Sequence, residues 1–412
     1  MTTSSPTRPL PGVLLMLILG SIQAVMPISI DLYLPSLPTI ARQFAVPAGT
    51  VQFTLAIFLI GVAIGQIIYG PITDKYGRKR PLAFGFVLYI VGAVLCATAP
   101  SIEFLLAGRF VQALGASAGT VISSAIARDL WSGKMLAERL SLLMLVLGAA
   151  PILAPSLGGL ILSWGDWHVV FWVLVGYGML MLVALTFLPE TSTASERNSV
   201  QLRAAASTYL TILTNTPFVL FVLAAACTSA MLMSYITSSS FLYIDMLGVS
   251  PRQFGIFFGT NALGLIGAAQ LNRWALRHWE LGTIAQRAFA ATLVIVSLMA
   301  FLTATQLISA VSMTALFFAL CMSMGFVMPN IAALAFGHVK ERMGSASALQ
   351  GTIQSTVGGV AGALIGILSN GTLWPIIGVI GSFAVIGVCV LWVTRRRFPP
   401  HTASSATARS TT

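Results

Sequence analysis

The chain has 412 residues, of which 57% are hydrophobic and only 8% charged, and it carries a net charge of +11. A soluble domain has roughly 25% charged residues, so this composition excludes a soluble globular protein. Apolar runs long enough to cross a bilayer as a helix, about 20 residues each, recur between short polar breaks, where a membrane β-barrel would show short alternating segments.

The first predicted span runs from Pro11 to Ile40. It is too long for a signal peptide and offers no small-residue cleavage site, so it reads as an uncleaved span. Five more follow at Thr50–Pro71, Pro81–Ala99, Glu103–Arg128, Arg139–Ser163 and Val169–Leu188. A polar break, residues 189–207, then reads as a linker. Six further spans are predicted at Pro217–Tyr243, Pro251–Trp274, Ala285–Ala304, Ser309–Phe336, Gly344–Leu368 and Leu373–Thr394. The tail from Arg395 is Arg-rich and then Ser/Thr/Ala-rich, and is expected to be disordered. The expected organisation is a six-helix half (1–188), a cytoplasmic linker (189–207), a second six-helix half (208–394) and a disordered cytoplasmic tail (395–412), as in a duplicated unit.

Basic residues set the expected orientation. With the N-terminus inside, only Arg42 and Arg252 fall in outer breaks and Arg109 falls within the membrane, while the other nineteen of the 22 Lys and Arg residues lie inside. That asymmetry follows the positive-inside rule, so both termini are expected in the cytoplasm. It explains the basic charge through topology and contact with anionic lipid, without nucleic acid. Cys96, Cys227, Cys321 and Cys389 all lie in apolar runs and read as small core residues without a disulfide. The four histidines form no metal-binding spacing.

Within the first span, Ser29-Ile-Asp-Leu-Tyr-Leu-Pro35 places one carboxylate, Asp31, in an otherwise apolar run. An Asp at the bilayer centre costs about 2.5–3.5 kcal/mol on insertion scales, so a proton, an ion or a charged partner is expected there. The alternative is solvation at the outer interface beside Pro35 and Pro38. In the fourth span, Arg109 needs a partner or water, because a guanidinium does not lose its proton. It either snorkels to the outer headgroups or faces the bundle interior. Asp31 and Arg109 both fall in the outer halves of their spans, so a pairing between them is allowed.

Between the second and third spans, Gly70-Pro-Ile-Thr-Asp74-Lys-Tyr-Gly77-Arg78-Lys79-Arg-Pro81 combines turn residues, a carboxylate and a basic cluster. The loop, D-x-x-G-R-(R/K) after a Gly-Pro step, resembles the signature loop of the major facilitator superfamily of secondary transporters. The resemblance implies that Asp74 joins a charge relay at a cytoplasmic gate, with Arg128 or the start of the eleventh span near Gly344 and Ser345 as partners. The matching loop of the second half keeps Arg273 and Arg277 but lacks the aspartate. Arg109 and Gln112, with Gly115 closing the pattern, resemble the family's fourth-helix motif, which is implicated in proton coupling; here Gln112-Ala113 replaces the commoner Gln-Gly.

The fifth span holds Gly148, Pro151, Pro155, Gly158 and Gly159. Prolines four apart kink a helix and glycines admit a neighbour, so a packing role is one reading. The array also resembles the antiporter motif of the superfamily's drug exporters.

Asp31 and its neighbours, Ser-Ala-Ile-Ala-Arg-Asp-Leu130, the Trp167–Trp172 stretch, Pro189-Glu-Thr and the segment from Ser250 to Asn272 are similar to the bicyclomycin and chloramphenicol resistance (Bcr/CflA) type of drug:proton antiporter. The resemblance implies an all-α polytopic protein of twelve transmembrane helices in two six-helix halves. It also implies proton-driven export of small amphipathic antibiotics across the bacterial inner membrane by a monomer, with no cofactor beyond the proton gradient. Asp31 and Arg109 would couple protons, and Gly70, Asp74, Gly77, Arg78, Lys79 and Arg128 would form the gate. Met26, Tyr33, Gln112, Tyr235, Asn261, Met328 and Asn330 are substrate candidates by residue type, since Met and aromatics suit varied apolar ligands. Export of a natural metabolite is the alternative within this class. A membrane enzyme would need a nucleophile–base or metal cluster in the spans, and no phosphate-binding G-x-x-x-x-G-K-(S/T) loop occurs.

Overall fold

Proline placement divides the first apolar run into three pieces. In a computed structural model, which describes residues 12–131, 133–192, 202–339 and 343–398, α1 (Gly12–Asp31) ends at the carboxylate. A 3-10 turn follows at Leu34–Ser36, and α2 (Leu37–Gln43) completes the crossing. Pro35 and Pro38 donate no backbone N–H, so each stands in the first turn of a new helical piece, where none is needed.

The remaining spans of the first group are α3 (Ala48–Tyr76), α4 (Lys79–Ala97), α5 (Ile102–Leu130), α6 (Gly133–Trp164) and α7 (His168–Phe187). A helix not expected from the sequence, α8 (Leu202–Leu213), precedes the second group. That group comprises α9 (Thr216–Ser240, extended by a π turn at Phe241–Met246), α10 (Pro251–Ala275), α11 (Leu281–Ala304), α12 (Ala310–Phe336), α13 (Met343–Leu368) and α14 (Trp374–Arg397). Counting α1 and α2 as one crossing, the described residues contain twelve segments long and apolar enough to span a membrane, six in each group. The protein is a multi-pass membrane protein.

Short breaks suffice because several supply their own caps. Ser101, Asn215, Ser250 and Ser309 each accept a backbone N–H from the first turn of the following helix. Two seams join the halves: α3 runs beside α13, and α6 beside α10. The basic segment 74–80 marks one end of the bundle, called here the basic end.

Three expectations need correction. The second span does not stop at Pro71 but continues to Tyr76, since a proline removes one ladder bond without ending a helix packed on its neighbours. Asp74 therefore sits on the last turn of α3 rather than in a loop. Arg395, Arg396 and Arg397 belong to the last turn of α14 rather than to a tail, where cations are favoured by the helix dipole; the rest of the predicted tail, from residue 399, lies outside the described residues. Cys389 is exposed on the bundle surface, whereas Cys96, Cys227 and Cys321 are buried as expected. Residues 193–201 of the predicted linker also lie outside the described residues.

Candidate functional site: gate, buried charges and the opposite seal

At the basic end, Gly77 turns the chain between α3 and α4 with a φ of +85°, a conformation that favours glycine. Arg78 then bridges two carboxylates. Its Nη1 donates to Asp74 Oδ1 at 2.7 Å, its Nε to Asp129 Oδ2 at 2.8 Å, and its Nη2 to Asp129 Oδ1 at 3.2 Å. Burial opposes the charge, but the hydrogen bonds and charges of Asp129 and Asp74 outweigh it and hold the guanidinium above its ordinary range. Glu190, just past α7, accepts the backbone N–H of Arg78 at 2.8 Å and of Lys79 at 3.2 Å, closing the N-terminus of α4. Lys79 Nζ donates to the Thr186 carbonyl, and the Thr191 hydroxyl donates to Asp129.

Arg78 and Asp74, two of the residues expected at a gate, come together, with Asp129 as a partner that the sequence did not suggest. Asp74 is held by Arg78 and does not pair with Arg128, whose Nε donates to the Ser124 carbonyl while its guanidinium lies against Gly344. Gly70, Asp74, Arg78, Arg128, Gly344 and Ser345 all line one polar cavity of about 800 Å³ between the halves, which Tyr209 of α8 also borders. Burial, with Asp74 beside it, raises the Tyr209 hydroxyl above its usual range.

Asp129→Asn is expected to destabilise the protein by about 2 kcal/mol, as loss of charged hydrogen bonds does. Asp74→Asn is expected to cost less than about 1 kcal/mol, because that carboxylate is half exposed and water screens it. Melting midpoints in detergent check the order, and a larger drop for Asp74→Asn contradicts it.

About two turns into α5 from the end opposite the basic loop, Arg109 is fully buried and faces the interior. Its Nη1 donates to the Ser29 carbonyl at 3.1 Å and to Gln112 Oε1 at 2.8 Å, one turn along the same helix. Its guanidinium carbon lies 4.3 Å from the Phe58 ring centre and 4.7 Å from that of Tyr33. Desolvated cation–aromatic contacts of this kind are worth about 2 kcal/mol. Nε and Nη2 have no hydrogen-bond partner among the described residues. The Ser29 hydroxyl meets the Tyr89 hydroxyl at 2.7 Å, tying α1 to α4.

The pairing of Arg109 with Asp31 that the sequence allows is not made. The Ser29 side chain turns to Tyr89, and two residues subtend about 200° around a helix, so Asp31 projects away from that side. Asp31 is buried, 3% exposed, and makes no ion pair among the described residues. It closes α1 just before the turn Leu34–Ser36, which packs against α9 of the other half. Tyr235 stacks with Phe258 and accepts a hydrogen bond at 2.8 Å from Asn261 Nδ2, which also reaches the Tyr243 hydroxyl. Asn261 Oδ1 is buried without a hydrogen-bond partner among the described residues.

Of the other substrate candidates, Tyr33 bonds Thr54 and packs on Arg109, and Gln112 holds Arg109. Met26 and Met328 are half-buried. Asn330 is engaged in a reciprocal pair with Asn272 that joins α12 to α10.

At the end opposite the basic loop, the halves are in close contact. α6 runs on through Pro151 and Pro155. A Cβ at Gly158 would collide with the Leu32 carbonyl, and one at Gly159 with the Pro251 carbonyl of the other half. Gly148, further along, would meet only the Ile266 side chain, at 3.3 Å. Gly49 and Gly366 bring α3 and α13 equally close. Gln52 donates to the Thr237 carbonyl, and Arg42 pairs with Asp245 at 3.1 Å. That ion pair is exposed, so it contributes at most about 1 kcal/mol. Arg42→Gln is accordingly expected to change transport rate by less than about five-fold; a loss beyond ten-fold in a vesicle assay contradicts that ranking.

The model of the Major Facilitator Superfamily matches residues 19–363. The chain belongs to that superfamily. It is 34% identical over 385 residues to an uncharacterised MFS-type transporter, YdgK, of Bacillus subtilis strain 168, covering 90% of this chain and 94% of that protein. It is 29% identical over 389 residues to a bicyclomycin resistance protein homolog of Haemophilus influenzae, covering 92% and 96%. The xylose transporter XylE from E. coli, in a partially occluded inward open conformation, superposes with a TM-score of 0.73 at 13% identity, over 95% of this chain and 99% of that one. At that identity the likeness concerns the fold.

Major facilitators are transporters, not enzymes, and this chain is one of them. Asp129 and Glu190, which hold Arg78 at the candidate gate, were not singled out from the sequence. Both stand in stretches notable in the sequence, before Leu130 and after Pro189, but no local pattern says that the two stretches meet at Arg78.

Proposed function

We propose that this major facilitator is a proton-coupled exporter of small amphipathic drugs, of the chloramphenicol or bicyclomycin kind, in the bacterial inner membrane with both termini cytoplasmic. Asp31 carries this reading. It is a buried carboxylate without an ion-pair partner among the described residues, just before a turn that packs on the other of two halves that must move against each other. An intramembrane acid so placed is suited to exchange a proton for a drug as the halves rock. Arg109 serves as a fixed charge that holds α1 on α5 through the Ser29 carbonyl. The name of the Haemophilus relative, a bicyclomycin resistance protein homolog, supports the drug class.

With the basic end cytoplasmic, the close seams at the other end and the cavity of about 800 Å³ correspond to a form sealed outside. The cluster of Asp74, Arg78 and Asp129 acts as the cytoplasmic gate, with 1–188 and 208–394 as the moving halves of one working chain. Drug binding tests the exchange. Chloramphenicol- or bicyclomycin-type compounds added to purified protein in weak buffer should release protons. Binding with no proton release overturns the coupling.

A further inference from the structure

The four basic residues of 75–80 fall into two classes. Arg78 and Lys79 are engaged, the first by Asp74 and Asp129, the second by the Thr186 carbonyl. Arg80 and Lys75 are exposed and make no ion pair or hydrogen bond to protein among the described residues; Lys75 Nζ only stands 5.5 Å over the Tyr76 ring.

Arg80 and Tyr76 form part of the wall of a groove of about 390 Å³ between α3 and α4, at the basic end. Its other walls include Ile68, Ile72, Phe84 and Leu88, and Arg80 is its one charged wall residue. Ile68 and Phe84 are 46% and 64% exposed on spanning helices, so the groove opens towards the bilayer rather than the transport cavity. A cation unmatched by protein, at the membrane-interface end of an apolar slot, is complementary to a ligand with an anionic head and hydrocarbon chains.

We propose that this groove is a binding site for an anionic phospholipid, its phosphate between Arg80 and Lys75 and an acyl chain along Ile72, Phe84 and Leu88. The site lies directly behind the proposed gate, because Arg78 caps α4 and Arg80 stands in its first turn. A bound lipid would hold the lower part of α3 and α4 together on the side away from Asp74. The inference does not depend on what the protein exports.

Photoactivatable phosphatidylglycerol or phosphatidylcholine in nanodiscs holding the full chain, followed by peptide mapping, tests it. Phosphatidylglycerol adducts are expected on residues 65–88, well above those of phosphatidylcholine. One cation near an anionic surface is worth a factor of roughly five, so K75Q/R80Q should lower that labelling about five-fold or more. The control R273Q/R277Q removes two exposed cations from the matching segment of the other half and should leave labelling of 65–88 unchanged. Equal labelling by both lipids, no loss in K75Q/R80Q, or an equal loss in the control overturns the site. Both variants change exposed side chains, and unaltered melting of K75Q/R80Q separates lost lipid from lost fold.

Discussion

Asp31→Asn is expected to abolish gradient-driven drug accumulation while leaving the protein folded and inserted. The substitution keeps the shape of the side chain and removes its ability to carry a proton. No ion pair is lost, because Asp31 has none among the described residues, so the fold has little reason to fail. One charge crossing 100 mV releases about 2.3 kcal/mol, enough to hold a neutral drug at a gradient of some 50-fold. The mutant should equilibrate drug across the membrane and hold no gradient at all. Counterflow, the exchange of labelled for unlabelled drug without a proton gradient, should persist. Wild-type accumulation in Asp31→Asn contradicts the assignment, and loss of counterflow as well would mean that Asp31 is needed for drug binding itself.

Gly159→Val should be nearly as damaging, for a different reason. A Cβ at that position collides with the Pro251 carbonyl across the boundary between the halves. The backbone of α10 cannot yield without parting the α6–α10 seam, so the form closed at this end is disfavoured. Small residues allow such backbone approaches between membrane helices. Over-packing of this kind costs roughly 1–3 kcal/mol, which corresponds to a roughly five- to 150-fold smaller population of the closed form and a comparable loss of turnover. Gly176→Val supplies the control, since nothing lies within 4 Å of a Cβ there. Drug efflux rates normalised to membrane protein level check both. Equal, small effects of the two substitutions would mean that the close approach is incidental to transport.

The fold was largely legible, since apolar runs of bilayer length and the basic breaks between them report the crossings directly. Their ends were less so. Pro71 looked like a terminus, yet tertiary packing carries α3 on to Tyr76. Cys389 shows a second limit: the spans are apolar all round, so periodicity does not separate the face turned to lipid from the face turned to protein.

For the site, residue type found the right charges but not their pairings. Asp31 and Arg109 could both be placed at similar depth from the sequence, but which way each points depends on helix rotation. Rotation is set by contacts such as Arg109 with Ser29 and Phe58. Asp129 was adjacent to a residue already under suspicion, Arg128, and only the approach of α5 to the turn at Gly77 makes it the partner of Arg78.

Proton-driven drug export is tested most directly by transport in everted membrane vesicles, with and without an imposed proton gradient. The panel would hold chloramphenicol-type, bicyclomycin-type and cationic dye compounds. The account predicts uptake of at least one of these that requires the gradient and collapses when a protonophore is added. Absence of gradient-dependent uptake for every compound, with the protein present in the membrane, would contradict it and point instead to export of a natural metabolite.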